Sequence, residues 1–220
     1  MPAIESLSAG ASYLALAETL ETAFLAWDRE PESWPEDRFE AFALEAFAVQ
    51  FNLNRPYGRY CRAIGAEPAS VGAWREIPPA PTAAFRSVDL MVGDPADAAL
   101  RFRTSGTTRG ASSRGVHPIL RPATYRAALT GPFRHAVLGG RESTRILLLH
   151  PPFQPIAESS LAWMLDHALS RFGAAESGRL DPKGGLPADA VARALESAAA
   201  DAAQIAILGT TLALAEVADV

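Results

Sequence analysis

Residues 145–152 read RILLLHPP. Four apolar residues follow one another with no polar interruption, and two prolines stop them. A strand exposed on one face alternates apolar and polar side chains, whereas a strand covered on both faces has no need to. The run therefore predicts an inner strand of a largely parallel sheet. Downstream, Leu161, Met164, Leu165 and Leu169 form an apolar stripe at helical spacing, which predicts a helix over 157–172. A second helix is expected over 188–203, a second buried strand over 204–208, and a last helix opening at Gly209-Thr210-Thr211. Upstream, a short strand over 99–103 precedes a helix over 122–138, which Gly139-Gly140 ends. This alternation of strands and helices predicts an α/β fold with a mostly parallel sheet flanked by helices.

The N-terminal region reads as helical. Leu16, Leu20, Phe24 and Trp27 fall on one helix face. Ser33 and Glu36 have the spacing of a capping box, which predicts a helix starting there. Its buried stripe is Phe39, Phe42, Ala43, Ala46 and Phe47. Asn54-Arg55-Pro56 should end it, because a residue before proline avoids helical dihedrals. A short helix is expected around 58–64, then an irregular stretch over 66–95. There Pro78, Pro79 and Pro81 exclude helix and central strand, and Trp74 and Phe85 are the expected anchors. Residues 1–65 and 66–220 are thus a helical region and an α/β region, expected to form one continuous domain.

Bulk properties narrow the function classes. The 220 residues are 49% hydrophobic, enough for a substantial core, and carry a net charge of −5, which argues against general nucleic-acid binding. No apolar run is long enough for a membrane span, and MPAIESLSAG lacks the pattern of a secretory signal. The single cysteine, Cys61, excludes an intrachain disulfide and fits a cytoplasmic location. His117, His135, His150 and His167 show no zinc-type spacing with it.

Charge is unevenly placed. No acidic residue lies between Asp97 and Glu142, while Arg101, Arg103, Arg109, Arg114, Arg121, Arg126, Arg134 and Arg141 all do. Such a zone predicts an anionic partner. Within it, 104–117 reads TSGTTRGASSRGVH, a Ser/Thr/Gly segment directly after a predicted strand. Backbone amides and short hydroxyls can cradle phosphate, and glycine allows close approach. A plain surface turn has similar composition. Neither the Walker spacing nor the dinucleotide-binding glycine pattern is met.

Thr104-Ser105-Gly106-Thr107-Thr108, with Gly110 and then Ser113-Arg114-Gly115-Val116, resembles the signature loop of adenylate-forming enzymes. Within that superfamily the chain is most similar to the acyl-protein synthetase (LuxE-like) group. Supporting patterns are Ile77-Pro78 and Pro81 with Phe85-Arg86, then Pro151-Pro152 with Ser159-Ser160-Leu161, then Ile207-Leu208-Gly209-Thr210. Arg109 and Arg114 depart from the glycine and lysine of the wider pattern, though arginine also pairs phosphate.

The resemblance implies part of an adenylate-forming N-terminal domain, with ATP and Mg²⁺ as cofactors. It implies activation of a carboxylic acid, a long-chain fatty acid or similar, as acyl-adenylate for transfer to a thiol. Thr104, Ser105, Gly106, Thr107, Thr108, Gly110, Ser112, Ser113 and Arg114 are then the nucleotide-binding residues, and His150, Ser159, Gly209 and Thr210 face the substrate. No residue is assigned a catalytic role. Helix capping is the competing reading of Ser159. His117 is a further candidate for neutralising an anion, and Phe153, Trp163, Met164 and Leu212 for an acyl-pocket wall. Cys61 reads as a buried structural thiol and Lys183 as a turn residue. Family members continue further, so this chain is expected to turn over weakly alone. An acyl-donor or acyl-acceptor protein and a second copy of the chain are the partners to be expected. Acyl-CoA ligation and a non-catalytic phosphate-binding module are the alternative functions.

Overall fold

The computed structural model describes residues 3–104, 114–154, 158–180 and 188–218. Among them lie seven helices, a two-stranded ribbon and a three-stranded parallel sheet flanked by helices, an α/β arrangement. The chain forms two compact units, 1–128 and 129–220.

The first unit begins with α1 (Ala3–Arg29), α2 (Glu36–Leu53) and α3 (Arg55–Ala63). Leu16 of the expected stripe is buried, and it packs with Val49 and Val92. The expected capping box is not formed. Pro35 holds the N-cap position of α2, with no side-chain cap. Packing decides the helix start instead: Trp34 stacks on Phe24 with ring centroids 5.7 Å apart and meets Phe42 at 5.2 Å. Glu36 turns to Arg75, 2.6 Å away, rather than back to the helix start. Asn54 ends α2 as expected. It also caps α3, its side chain accepting from the Tyr57 amide. The stretch that follows contains only short 3-10 turns, at Trp74–Glu76, Thr82–Arg86 and Pro95–Asp97.

The strand expected over 99–103 is β1 (Leu100–Arg103). It does not join the parallel sheet. It pairs antiparallel with β2 (Val116–Ile119), Arg103 opposite Val116 and Leu100 opposite Ile119. The sequence reading has no strand here. Pro118 sits within β2, which a two-stranded ribbon tolerates because one side of each strand has no ladder partner. Helix α4 (Pro122–Ala136) follows and runs from the first unit into the second. Gly139 and Gly140 stand beyond its end at φ 61° and 81°, and the Gly140 amide returns to the Arg134 carbonyl at 2.9 Å.

The second unit is built on β3 (Arg145–Leu149), flanked in parallel by β4 (Gly178–Leu180) and β5 (Ile205–Gly209). The order β4-β3-β5 makes β3 the inner strand, as RILLL requires. Its side chains divide between two faces. Ile146 and Leu148 pack with Phe133, Leu165 and Phe172, of which the latter two lie on α5 (Ser160–Phe172). Leu147 and Leu149 pack with Val191 of α6 (Ala188–Ala200) and Ala213 of α7 (Thr211–Glu216). Strand β4 was not expected, since Gly-Arg-Leu carries no apolar pattern. It exists through its pairing with Leu147–Leu149.

Candidate functional site

Ser105, Gly106, Thr107, Thr108, Gly110, Ser112 and Ser113 lie outside the described residues. What the structure defines is the stem that carries them. The Thr104 amide donates to the Gly115 carbonyl at 3.0 Å, and the Gly115 amide donates to Thr104 Oγ1 at 3.0 Å. The two ends of the Ser/Thr/Gly segment are therefore held side by side. Thr104 Oγ1 accepts one bond there and keeps its own hydrogen to donate. Arg114, half-buried, stands next to this closure.

Phe85 is an anchor, as expected, and what it anchors is the stem. Its ring meets the His117 imidazole with centroids 4.2 Å apart, and its backbone lies against Gly115. Burial pushes the His117 pKa down. At neutral pH the ligand-free chain therefore favours the uncharged ring.

The acid-free arginine zone is not acid-free in space. Arg121 gives Nε and a terminal nitrogen to the two carboxylate oxygens of Glu21, at 2.5 and 3.0 Å, and Thr124 donates to the same group. Arg134, almost fully buried, pairs with Glu142. Arg101 donates to the Pro95 carbonyl and Arg141 to the Leu138 carbonyl. These four arginines are engaged by other parts of the chain, two of them by carboxylates from outside the zone.

A second group gathers in the second unit, at the carboxyl ends of the parallel strands, where open α/β sheets place ligands. His150 follows β3. Its Nδ1 lies 2.8 Å from the Pro151 carbonyl, a contact only a protonated Nδ1 can make usefully, so neutral His150 presents Nε2 as an acceptor. The His150 carbonyl accepts from Arg179 of β4 at 2.8 Å. Arg179 pairs with Asp166 of α5, and the other Asp166 oxygen accepts from the Phe153 amide at 2.9 Å. This Arg179–Asp166 strut fixes the turn after β3. Sequence reading missed both residues, since neither sits in a motif.

Ser159 caps α5, its hydroxyl accepting from the Ala162 amide at 3.2 Å, and Thr210 caps α7 in the same way. For Ser159 this is the competing reading given above. Gly209 faces Leu149 across the β3–β5 ladder, and a Cβ on it would stand 3.0 Å from Leu149 Cβ and carbonyl oxygen. Close strand pairing thus accounts for this glycine. Of the acyl-wall candidates, Met164 packs against the core, Trp163 stacks on His167, and Leu212 is 72% exposed. Cys61 is fully buried, as expected. His167 has a partner that the sequence did not reveal, the Thr130 hydroxyl at 2.9 Å.

Among the described residues no group of three or more His, Cys, Asp or Glu is placed to hold a metal ion, and no helix is long and apolar enough to cross a membrane. No protein-family model, no curated protein and no solved structure matches this chain.

Proposed function

We propose that the chain takes part in ATP-dependent activation of a carboxylic acid, fatty or similar, as an acyl-protein synthetase does. The acid's carboxylate oxygen bonds to the α-phosphorus of ATP and pyrophosphate leaves; a thiol then displaces AMP from the acyl carbon. The observation that carries this reading is the Thr104–Gly115 closure. It holds the two ends of the 105–113 segment side by side, and the sequence of that segment carries hydroxyls, glycines and Arg109. Converging N–H and O–H donors stabilise charge on a polyphosphate, which is the main electrostatic task of phosphoryl and adenylyl transfer. Mg²⁺ would be carried chiefly by the nucleotide's own phosphates, since residues 98–141 offer no carboxylate. Under the same reading His150 Nε2, at the end of β3, is an acceptor for the substrate side.

The test is calorimetry with ATP-Mg²⁺ on the chain and on the Thr107→Val, Thr108→Val double variant, beside a pyrophosphate-release assay with fatty acids. Binding lost in the double variant, with release above background in the parent, supports the reading. Binding that survives both changes defeats it. Binding without release identifies a phosphate-holding module instead, and thioester formation with free CoA identifies an acyl-CoA ligase.

A further inference from the structure

The first unit contains a cavity of about 440 Å³ that the reading above does not use. It lies between α2, the start of α3 and the proline-rich stretch. Its α2 wall is Ala43, Ala46, Phe47 and Gln50, spaced as one helix face. Two alanines where that face could carry large side chains leave the space open. Opposite, Pro78, Pro79 and Pro81 keep the chain extended, so Ile77 and Leu90 form a wall without filling the gap. The volume falls in the range of small-molecule sites.

The polar end of the cavity can be assigned atom by atom. The Tyr57 amide can only donate, so the Asn54 atom facing it at 3.3 Å is Oδ1. The other Asn54 atom is then Nδ2, a donor, and its partner on Gln50 at 3.0 Å must be Oε1. Gln50 is left with its Nε2 amide, which has two hydrogens and no acceptor capacity. The Tyr57 hydroxyl, whose pKa burial pushes up, donates to the Pro78 carbonyl at 2.7 Å. No lining residue carries a charge at neutral pH. A carboxylate or an ammonium that entered would therefore have no counter-charge, at a cost that disfavours it.

We propose that this cavity binds a neutral, mainly aliphatic molecule whose single hydrogen-bond acceptor, of the carbonyl type, meets the Gln50 amide. The site also touches the stem of the 105–113 segment, because Phe85 lines the cavity and carries His117 on its ring. An occupant is thus felt at the imidazole. The proposal is independent of the acid-activating reading, since its ligand holds neither phosphate nor carboxylate.

The test uses the full chain with octan-2-one, octanoate and octylammonium as probes. The readouts are saturation-transfer NMR for binding and the His117 ring resonances for position. Octan-2-one is expected to bind and to shift His117, and the two ions to bind at least about tenfold more weakly. Gln50→Leu should weaken octan-2-one about tenfold, the loss of one hydrogen bond. Ala43→Leu should abolish its binding while far-UV circular dichroism stays unchanged. If Ala43→Leu does not fold, Gln50→Leu alone decides. Equal binding of octanoate, no binding of octan-2-one, or binding indifferent to Gln50→Leu overturns the proposal.

Discussion

Phe85 occupies the space that a side chain at Gly115 would need. An ideal Cβ on Gly115 would stand 3.3 Å from both the Cβ and the carbonyl oxygen of Phe85. The stem of the Ser/Thr/Gly segment thus rests on the proline-rich stretch so closely that a side chain at Gly115 would have to push Phe85 back by a few tenths of an ångström. Gly115→Ala should cost about 1–2 kcal/mol, as overpacking does. The measurement is a urea midpoint that falls with an unchanged slope. Combined with Phe85→Ala, the loss should persist, because alanine keeps the Cβ and carbonyl oxygen that a Cβ on Gly115 would meet; Phe85→Gly, which removes that Cβ, should make the loss less than additive.

Gly58 is held more tightly. A Cβ there would lie 2.2 Å from the Phe51 carbonyl oxygen, a backbone atom that cannot swing aside. The first turn of α3 sits directly on the end of α2. Gly58→Ala should cost about 3 kcal/mol or more, since one of the two helices must move. Gly178→Ala is the control: nothing lies within 4 Å of its would-be Cβ. It should stay within about 0.5 kcal/mol of the parent.

The sequence disclosed elements whose cause is local and hid those whose cause is distant. RILLL marks β3 because a strand buried on both faces cannot carry polar residues there, and Asn54 and Pro56 mark the α2–α3 break through their own backbone limits. Gly-Arg-Leu marks nothing, for β4 exists only through its neighbour β3. The Ser33/Glu36 spacing suggested a cap, but the Trp34 ring contacts set the helix start and Arg75, distant in sequence, claimed the Glu36 carboxylate. The arginine zone is partly paired from a distance in the same way. Its acids, Glu21 and Glu142, come from outside the segment. In the candidate site, the segment composition was legible, while the Thr104–Gly115 closure and the Arg179–Asp166 strut needed the fold.

That strut makes its own prediction. Arg179→Leu leaves Asp166 with the Phe153 amide but without its counter-charge. Both side chains are partly exposed, so the loss should be about 1–2 kcal/mol rather than that of a fully buried pair. A double-mutant cycle with Asp166→Asn, read by urea denaturation, should return a coupling of about 1 kcal/mol. A coupling of zero would show that the pair contributes nothing to holding the turn after β3.

Acid should loosen the first unit through Glu21. The hydrogen bond from Arg121 holds its carboxyl below the usual range; burial opposes this, and Thr124 adds to the lowering. A carboxyl with a lowered pKa in the fold contributes stability above its unfolded pKa, and that contribution is lost as pH falls through the folded one. Glu21→Gln should therefore be less stable than the parent at neutral pH. The two should converge only as pH falls through the folded pKa, below the ordinary carboxylate range, where the parent's carboxyl is also neutral. Thermal melts across pH supply the comparison.

His117 loses its contribution in a higher window. Burial against Phe85 favours the neutral ring, so the folded pKa lies below the unfolded value of about 6.5. The stability this gives is complete above that value and falls as acidification charges the ring in the unfolded chain first. His117→Phe keeps an aromatic partner for Phe85 and removes the titration. The parent should lose stability relative to this variant as pH drops from about 7 towards 5, before Glu21 begins to matter. If the two curves run parallel across that interval, the ring is not held neutral by the fold. The charge assigned away from the stem would then have to be returned to it, with His117 counted among the groups that face a bound anion.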